Sequence, residues 1–256
     1  MKPDTAHIAL KISDVSKSFG GLKILNGVSF DLGKGQVKGL IGPNGAGKTT
    51  LFNVITGHYP PDSGKVCMQV DGVTYKLTGM KPYLIARRGI GRTFQKPSLV
   101  WHMSAFENVL LAAMNRRRKG VLKGRHQLSQ WVEHCLETAK IEPDLWHLEM
   151  SKTTIRTIKQ TELARAICLA PKTILLDEIC SGLSLVETDE LTGIILDLSG
   201  KSHTSVLFVE HDLKAVQQVC SDLVVIDFGR IIFDGAVGEA FSNERVIKAY
   251  VGGDDA

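Results

Sequence analysis

A glycine-rich segment in the first quarter of the chain has the residue types that bind phosphate. Residues 42–49 read GPNGAGKT and fit the pattern G-x-x-x-x-G-K-[ST] in full. Glycines let the backbone curl so that successive N–H groups point at phosphate oxygens, and a helix start adds a partial positive charge. Lys48 can neutralise the outer phosphates, and the Thr49 hydroxyl can ligate Mg²⁺. The segment predicts a nucleotide-binding loop of Gly42, Pro43, Asn44, Gly45, Ala46, Gly47, Lys48, Thr49 and Thr50.

Two further segments place polar residues at the ends of apolar strands. TILLDE ends in Asp177 and Glu178, at the strand end where ligands bind in open α/β sheets. Asp177 is placed to hold Mg²⁺ through water, and Glu178 suits a general base that positions water. His211 ends the strand in LFVEHD on the same edge, so a functional role is predicted for it. The alternatives are an acidic pair that caps the next helix and a structural histidine.

Strand and helix patterns alternate along most of the chain and must position these residues. β-rich runs fill the N-terminal part, and helical periodicity replaces them from about Ser98 to Thr161. After Leu163 strands and helices alternate again, which implies a largely parallel sheet covered on both faces. The helical insert has roughly 60–70 residues, well beyond an ordinary connecting loop. We therefore expect one α/β domain over 1–256, with core segments 1–97 and 162–240, a helical subdomain at 98–161 and a tail at 241–256.

The bulk composition limits the protein classes that the chain fits. It is 43% hydrophobic and 23% charged with a net charge of +4, as in ordinary globular proteins. No apolar run is long enough to span a membrane, and the first residues lack the apolar core of a signal peptide. The five cysteines are scattered without metal-type spacing and are expected to be reduced thiols of a cytosolic protein. These positions are Cys67, Cys135, Cys168, Cys180 and Cys220.

In this order, the phosphate loop, the TILLDE strand and the histidine resemble the nucleotide-binding domain of ABC transporters over essentially the whole chain. The resemblance implies a P-loop NTPase (RecA-like) fold, ATP and Mg²⁺ as ligands, and an inserted helical subdomain. It implies that Phe19 stacks on adenine and that Gln95 links the γ-phosphate and Mg²⁺ to the membrane subunit. Glu178 would then be the catalytic base and His211 the γ-phosphate sensor. Mg²⁺ would be held by Thr49, Gln95 and Asp177.

Several longer segments resemble one branch of that family, the ATPases of branched-chain amino acid-type uptake systems, including urea and short-chain amide importers. They are ARRGIGRTFQ, FENVLLAA, VLFVEHDLKAVQQVCSDLVVIDFGRII and VIKAYVGG. This resemblance implies two different ATPase chains on two integral membrane permease subunits, fed by a periplasmic binding protein. It implies a cytoplasmic protein that is peripheral on the inner face of the cell membrane, and no nucleic-acid partner.

The family's signature L-S-x-G-Q aligns with a segment that departs from it. We call this the signature segment; it consists of Thr153, Thr154, Ile155, Arg156 and Thr157. In the family it caps the γ-phosphate bound on the opposite subunit, and Arg156 stands where a glycine normally allows close approach. Ile179 replaces a proline and Ser184 an acidic or amide residue nearby. One interpretation is a tolerated Arg156 that points to solvent or reaches the phosphate; the other is a degenerate signature in an asymmetric ATPase dimer.

Two further segments, and the function itself, have more than one interpretation. The RRRK run at 116–119 fits a solvated helix end or a contact with lipid or the membrane subunit. Trp101 and Met103 fit either the packing of the insert or a groove for a helix of the membrane subunit. The alternative functions are a regulatory nucleotide-binding ABC subunit with little hydrolysis, a non-transport ABC ATPase and an exporter.

Overall fold

The computed structural model describes residues 8–118, 121–122 and 124–251, and their strands form two sheets. The strands are β1 (Ile8–Phe19), β2 (Leu22–Gly33), β3 (Val37–Ile41), β4 (Ser63–Val70), β5 (Val73–Lys76), β6 (Ile90–Arg92), β7 (Thr173–Asp177), β8 (Ser205–Val209), β9 (Asp222–Asp227) and β10 (Arg230–Ala236). The helices are α1 (Lys48–Ile55), α2 (Pro82–Arg88), α3 (Ala105–Arg118), α4 (Gly124–Thr138), α5 (Ile155–Cys168), α6 (Leu185–Gly200), α7 (Leu213–Val219), α8 (Val237–Ala240) and α9 (Glu244–Val251). Short 3-10 turns cover Pro143–Leu145 and Met150–Lys152.

The larger sheet has the strand order β10-β9-β3-β8-β7-β6. Its inner pairs are all parallel, and β10 adds an antiparallel edge. This confirms the predicted mostly parallel sheet. Because parallel strands end on the same edge, the order β3-β8-β7 brings three predicted site segments side by side. They are the phosphate loop after β3, His211 shortly after β8, and Asp177 at the end of β7.

The smaller sheet is antiparallel, with the order β2-β1-β4-β5, and it packs against one face of the larger sheet. Successive residues of the inner strands face two separate cores. Leu175 and Leu207 join the core that contains β1, β2, β4 and α1. Ile174 and Leu176 join the core built with α3, α4, α5 and α6. Burial on both faces explains why these strands are continuously apolar instead of alternating.

The helical patterns of the sequence correspond to α3 and α4, whereas several short elements are not predicted by any pattern. β5, β6, β10, α2 and α8 each have seven residues or fewer, too few for a period to be recognised. α5 runs continuously across the boundary expected between 161 and 162. The division into core, helical subdomain and tail stays a prediction.

Among the described residues, no helix has both the length and the apolar composition needed to cross a bilayer. Four of the five cysteines are buried and Cys67 is partly buried. Residues 1–7 and 252–256 and Lys119 of the basic run lie outside the described part of the chain, as do the side chains of 116–118.

Candidate nucleotide-binding site

The loop of residues 42–50 joins β3 to α1 and depends on two glycines for its path. A Cβ at Gly42 would collide with the carbonyl oxygen of Ile226 on β9. Gly47 has φ +109°, and a Cβ there would lie 2.9 Å from the Ile24 carbonyl oxygen. The loop is further fixed because the Gly229 N–H donates to Ala46 O at 3.0 Å. Glycine is therefore required where the loop passes close to β2 and β9.

The start of α1 has free N–H groups. Gly47 at its N-cap makes no side-chain hydrogen bond, and no acidic residue lies in the first turn. In contrast, α5, α6 and α7 each have a side-chain cap, because Thr154, Ser184 and Asp212 accept the backbone N–H of Thr157, Glu187 and Lys214 respectively. The uncapped N–H groups and the helix dipole make the start of α1 a site that favours an anion.

Lys48, the first residue of α1, turns back onto the loop. It is 7% exposed, and its Nζ donates to Gly42 O at 2.6 Å and to Pro43 O at 3.0 Å. Burial lowers the pKa of Lys48, and the negative charges of Glu178 and Asp177 act against that shift. The loop therefore holds a poorly hydrated cation beside two carboxylates, and the residues present fit a bound polyphosphate.

Three of the predicted site residues form one hydrogen-bonded group. Glu178 Oε2 accepts a hydrogen bond of 2.7 Å from Gln95 Nε2. Glu178 Oε1 lies 2.7 Å from His211 Nε2. The Glu178 backbone has φ +50°, in the left-handed region that residues with a Cβ rarely adopt. A carboxylate fixed between an amide and an imidazole is held in one orientation, as a group that must orient water requires.

Asp177 is buried and bonded to Arg92, a residue whose role no sequence pattern predicts. Arg92 Nη2 lies 3.2 Å from Asp177 Oδ2, and Nη1 donates to Asn53 Oδ1 at 2.7 Å and Thr56 Oγ1 at 3.1 Å. Burial raises the pKa of Asp177 and lowers the pKa of Arg92, and the ion pair opposes both shifts. Arg92 therefore links the end of β7 to the end of α1.

The atoms available for a metal are of the type that Mg²⁺ prefers. The Thr49 hydroxyl lies on an exposed residue, and Gln95 keeps its amide oxygen because its Nε2 donates to Glu178. Within the described part of the chain, no three His, Cys, Asp or Glu residues form a ready metal cluster. The oxygens of Thr49, Gln95 and Asp177 fit an ion that keeps waters and takes its other ligands from phosphates.

Phe19 ends β1 with 43% of its surface exposed. Its ring centroid lies 5.1 Å from that of Tyr59, edge to face, and Lys17 Nζ lies 5.3 Å from it. An exposed ring is available for a base, and its stacking on adenine stays a prediction. Burial raises the pKa of Tyr250, on α9, to about 12, and the nearby Gly42 backbone opposes that rise; no sequence pattern indicates that α9 lies close to the phosphate loop.

The signature segment is bonded within its own chain. The Thr154 hydroxyl caps α5 by accepting the Thr157 N–H at 3.3 Å, and Thr153 Oγ1 donates to Met150 O at 2.9 Å. Arg156 Nη2 lies 2.7 Å from Glu190 Oε2 on α6. The Arg156 guanidinium, whose side chain is about one third exposed, is thus paired with a carboxylate of its own chain in this conformation.

Comparison with known proteins shows similarity to ATP-binding proteins of transporters. The family model described as ABC transporter matches residues 25–181. The chain is 34% identical over 258 residues to the high-affinity branched-chain amino acid transport ATP-binding protein BraF of Pseudomonas aeruginosa, with 95% of this chain and 97% of that protein covered. It is 32% identical over 252 residues to the corresponding protein LivG of Escherichia coli, with 95% and 97% covered.

Two solved structures resemble the fold closely. A nucleotide-free ATP-binding cassette from an ABC transporter has a TM-score of 0.85 and 29% identity, with 96% of this chain and 99% of that chain covered. The ADP conformation of another such cassette has a TM-score of 0.83 and 30% identity, with the same shares covered.

Proposed function

The chain belongs to the ABC transporter family and is an ATP-binding ATPase, and from this premise we propose its role in transport. It powers an importer of amino acids or related small polar solutes, as one half of an asymmetric ATPase dimer. The similarity to ATP-binding proteins of branched-chain amino acid transport supports this class of solute.

The observation that carries the proposal is the hydrogen-bonded group of Gln95, Glu178 and His211 beside the buried ammonium of Lys48. The ATP phosphates would bind at the uncapped start of α1, where Lys48 offsets their outer charge. Glu178 would orient the attacking water and accept its proton. His211, whose side chain is about half exposed, would contact the γ-phosphate.

Thr49, Gln95 and Asp177 are the residues proposed to hold Mg²⁺. When bound, the ion offsets negative charge on the phosphates. Arg92 would keep Asp177 at the end of β7 by pairing with its Oδ2. The Oδ1 atom would then be the one to reach Mg²⁺ through a water.

The dimer is proposed to be asymmetric because the signature segment is bonded inside its own chain. By resemblance, each ATP would lie between one subunit's phosphate loop and the other subunit's signature. Lys48, Glu178 and His211 would complete one full site with the signature of a different ATPase subunit. The opposite site, capped by the segment with Arg156, would be weaker. A heterodimer keeps one full site, whereas a homodimer would weaken both.

The proposed partners are a second ABC ATPase subunit and integral membrane permease subunits, with a periplasmic binding protein acting indirectly. The proposed location is the inner face of the cell membrane. Trp101 is 43% exposed and Met103 is partly buried, so this turn offers an apolar side chain to a membrane subunit.

The proposal is tested by uptake in cells that lack this chain. We expect the wild-type chain to restore uptake of one of labelled leucine, urea or a short-chain amide, and the Glu178→Gln variant to restore none. Glu142→Gln, an exposed acid outside the site, serves as the matched control and should restore uptake. If the expressed wild-type chain restores the uptake of none of these solutes, the proposed transport role is wrong.

A further inference from the structure

Lys159 lies in the second turn of α5 and is 4% exposed. A buried ammonium is costly unless it is hydrogen-bonded. Among the residues that the structure describes, its Nζ has one hydrogen-bond acceptor, the backbone carbonyl of Glu178 at 3.1 Å. The phosphate loop does not use this cation, so its burial against the Glu178 turn needs another explanation.

The acceptor belongs to an unusual backbone turn. Glu178 has φ +50°, a conformation that crowds the Cβ and persists only where neighbours hold it. The Glu178 N–H donates to Val209 O at 2.9 Å, and Lys159 holds the carbonyl on the other side of the residue. The direction of this turn is what brings the carboxylate to Gln95 and His211.

The start of α5 also contacts the segment after Glu178 at two further points. A Cβ at Gly182 would lie 2.9 Å from Ile155 Cδ1, so the two segments are in close contact. Arg156 forms its ion pair with Glu190 in the second turn of α6. The start of α5 is therefore docked on residues 178–190 at three places, of which Lys159 is nearest to the carboxylate.

We propose that Lys159 is a positioning residue that holds the Glu178 turn, and through it the Glu178 carboxylate, in the orientation used for hydrolysis. The inference rests on the proposed role of Glu178. Through Lys159, α5 holds the catalytic carboxylate of its own chain in place, so a displacement of α5 would displace Glu178. A purely structural role would instead be to offset the buried charge of Glu162: burial raises the pKa of Glu162, and the Ser98 N–H and then Lys159 oppose that rise.

The test uses the full-length chain with labelled histidine, because the His211 ring reports on the Glu178 carboxylate. The His211 resonances are assigned with His211→Gln. Glu178→Gln should move them, and Lys159→Met should move them in the same direction, whereas Lys159→Arg, which keeps the donor, should retain the wild-type positions. Lys152→Met is the control, since Lys152 is exposed and forms its ion pair with Glu149, away from Glu178. Lys159→Gln replaces the Met variant if that protein does not fold.

The kinetic test measures ATP hydrolysis by the chain assembled with its ATPase partner. Lys159→Met should lower kcat by about tenfold to a hundredfold and leave KM and nucleotide affinity unchanged, since misplacing a catalytic group slows only the chemical step. Lys159→Arg should restore the rate.

Three outcomes separate the ideas. His211 resonances that move in Glu178→Gln but stay in place in Lys159→Met would overturn the positioning role and leave the proposed function intact. Glu162→Gln that reproduces the Lys159→Met spectrum would also overturn it, in favour of charge compensation. If the Glu178→Gln variant hydrolyses ATP at the wild-type rate, the proposed role of Glu178 is wrong, and the positioning role of Lys159 is wrong with it.

Discussion

Two segments of this chain each lead into a helix, the phosphate loop into α1 and the signature segment into α5, and they differ in how the helix start is capped. In the phosphate loop, Gly47 leaves the start of α1 without a side-chain cap, and Lys48 lies over the carbonyls of Gly42 and Pro43. In the signature segment, the Thr154 hydroxyl caps α5, and Arg156 is ion-paired with Glu190. The first segment has no side-chain cap on its N–H groups, whereas in the second a hydroxyl caps one N–H and the cation is paired with a carboxylate.

From this difference we expect the start of α1, and not the start of α5, to bind a phosphate of the chain's own nucleotide. Both helix starts carry the partial positive charge of a helix dipole, so the dipole alone does not distinguish them. What distinguishes them is the residue type at the first positions, glycine and lysine in one and threonine and arginine in the other. The four changes below test this comparison, from the largest expected effect to the smallest.

The largest effect is expected at the carboxylate beside the phosphate loop. Glu178→Gln keeps the side-chain shape but removes the proton acceptor, so ATP turnover should fall by about 10²–10⁴-fold. Nucleotide affinity should stay within about twofold because the loop is untouched. Phosphate release by the chain with its ATPase partner measures the rate, and calorimetry measures affinity. Turnover at the wild-type level would show that another group activates the water.

The next largest effect is expected at Lys48. Lys48→Ala removes the buried cation of the loop, and loss of one partner of a buried charge pair costs about 2–5 kcal/mol. The affinity for Mg-ATP, measured by calorimetry, should therefore fall by at least about 30-fold. Lys65→Ala, at an exposed position on β4, is the matched control and should bind as the wild type does. Equal affinity in the Lys48 variant would place the phosphates elsewhere.

The sequence alone predicts the phosphate loop better than it predicts the contacts of the signature segment. The pattern around Lys48 and the strand ends at Asp177 and His211 are local signals, so the phosphate side of the site follows from spacing and type. Ion pairs such as Arg92 with Asp177 join residues 85 positions apart, and only the folded sheet brings them together. The bond between Arg156 and Glu190 is equally invisible in the sequence, which leaves the direction of the arginine open. Short elements such as β6, with three residues, carry no periodic signal.

A smaller effect is expected when the signature segment is made to resemble the phosphate loop. Replacing residues 153–157 by Leu-Ser-Gly-Gly-Gln removes the bond to Glu190 and gives N–H groups that a phosphate can approach. ATP hydrolysis and ATP-driven dimerisation of the chain alone should rise by about tenfold, or about 1.4 kcal/mol. Phosphate release and analytical ultracentrifugation measure the two effects.

Arg156→Ala separates the two causes in that experiment, because it removes the arginine without adding a glycine. The glycines should cost about 1 kcal/mol each in helix stability. Brisk hydrolysis by the unmodified homodimer, unchanged in the restored variant, would contradict the asymmetric dimer. It would mean that Arg156 leaves Glu190 to make room for a phosphate or to bind it.

The smallest effect is expected at Thr154, and it decides whether its hydroxyl serves the chain or a partner's nucleotide. As the N-cap of α5, Thr154 accepts the Thr157 N–H, so Thr154→Ala should lower the free energy of unfolding by about 1 kcal/mol. For a chain of this size that corresponds to a fall in Tm of about 2–4 °C. Ser184→Ala removes the cap of α6 and should cause a similar or larger fall, since Ser184 accepts the Glu187 N–H and its hydroxyl also donates to the Glu187 carboxylate. Nucleotide affinity of the isolated chain should not change. If Thr154→Ala instead leaves Tm unchanged and weakens ATP-driven association with the ATPase partner, the hydroxyl contacts the partner's nucleotide. The signature segment would then be a working phosphate cap in spite of Arg156.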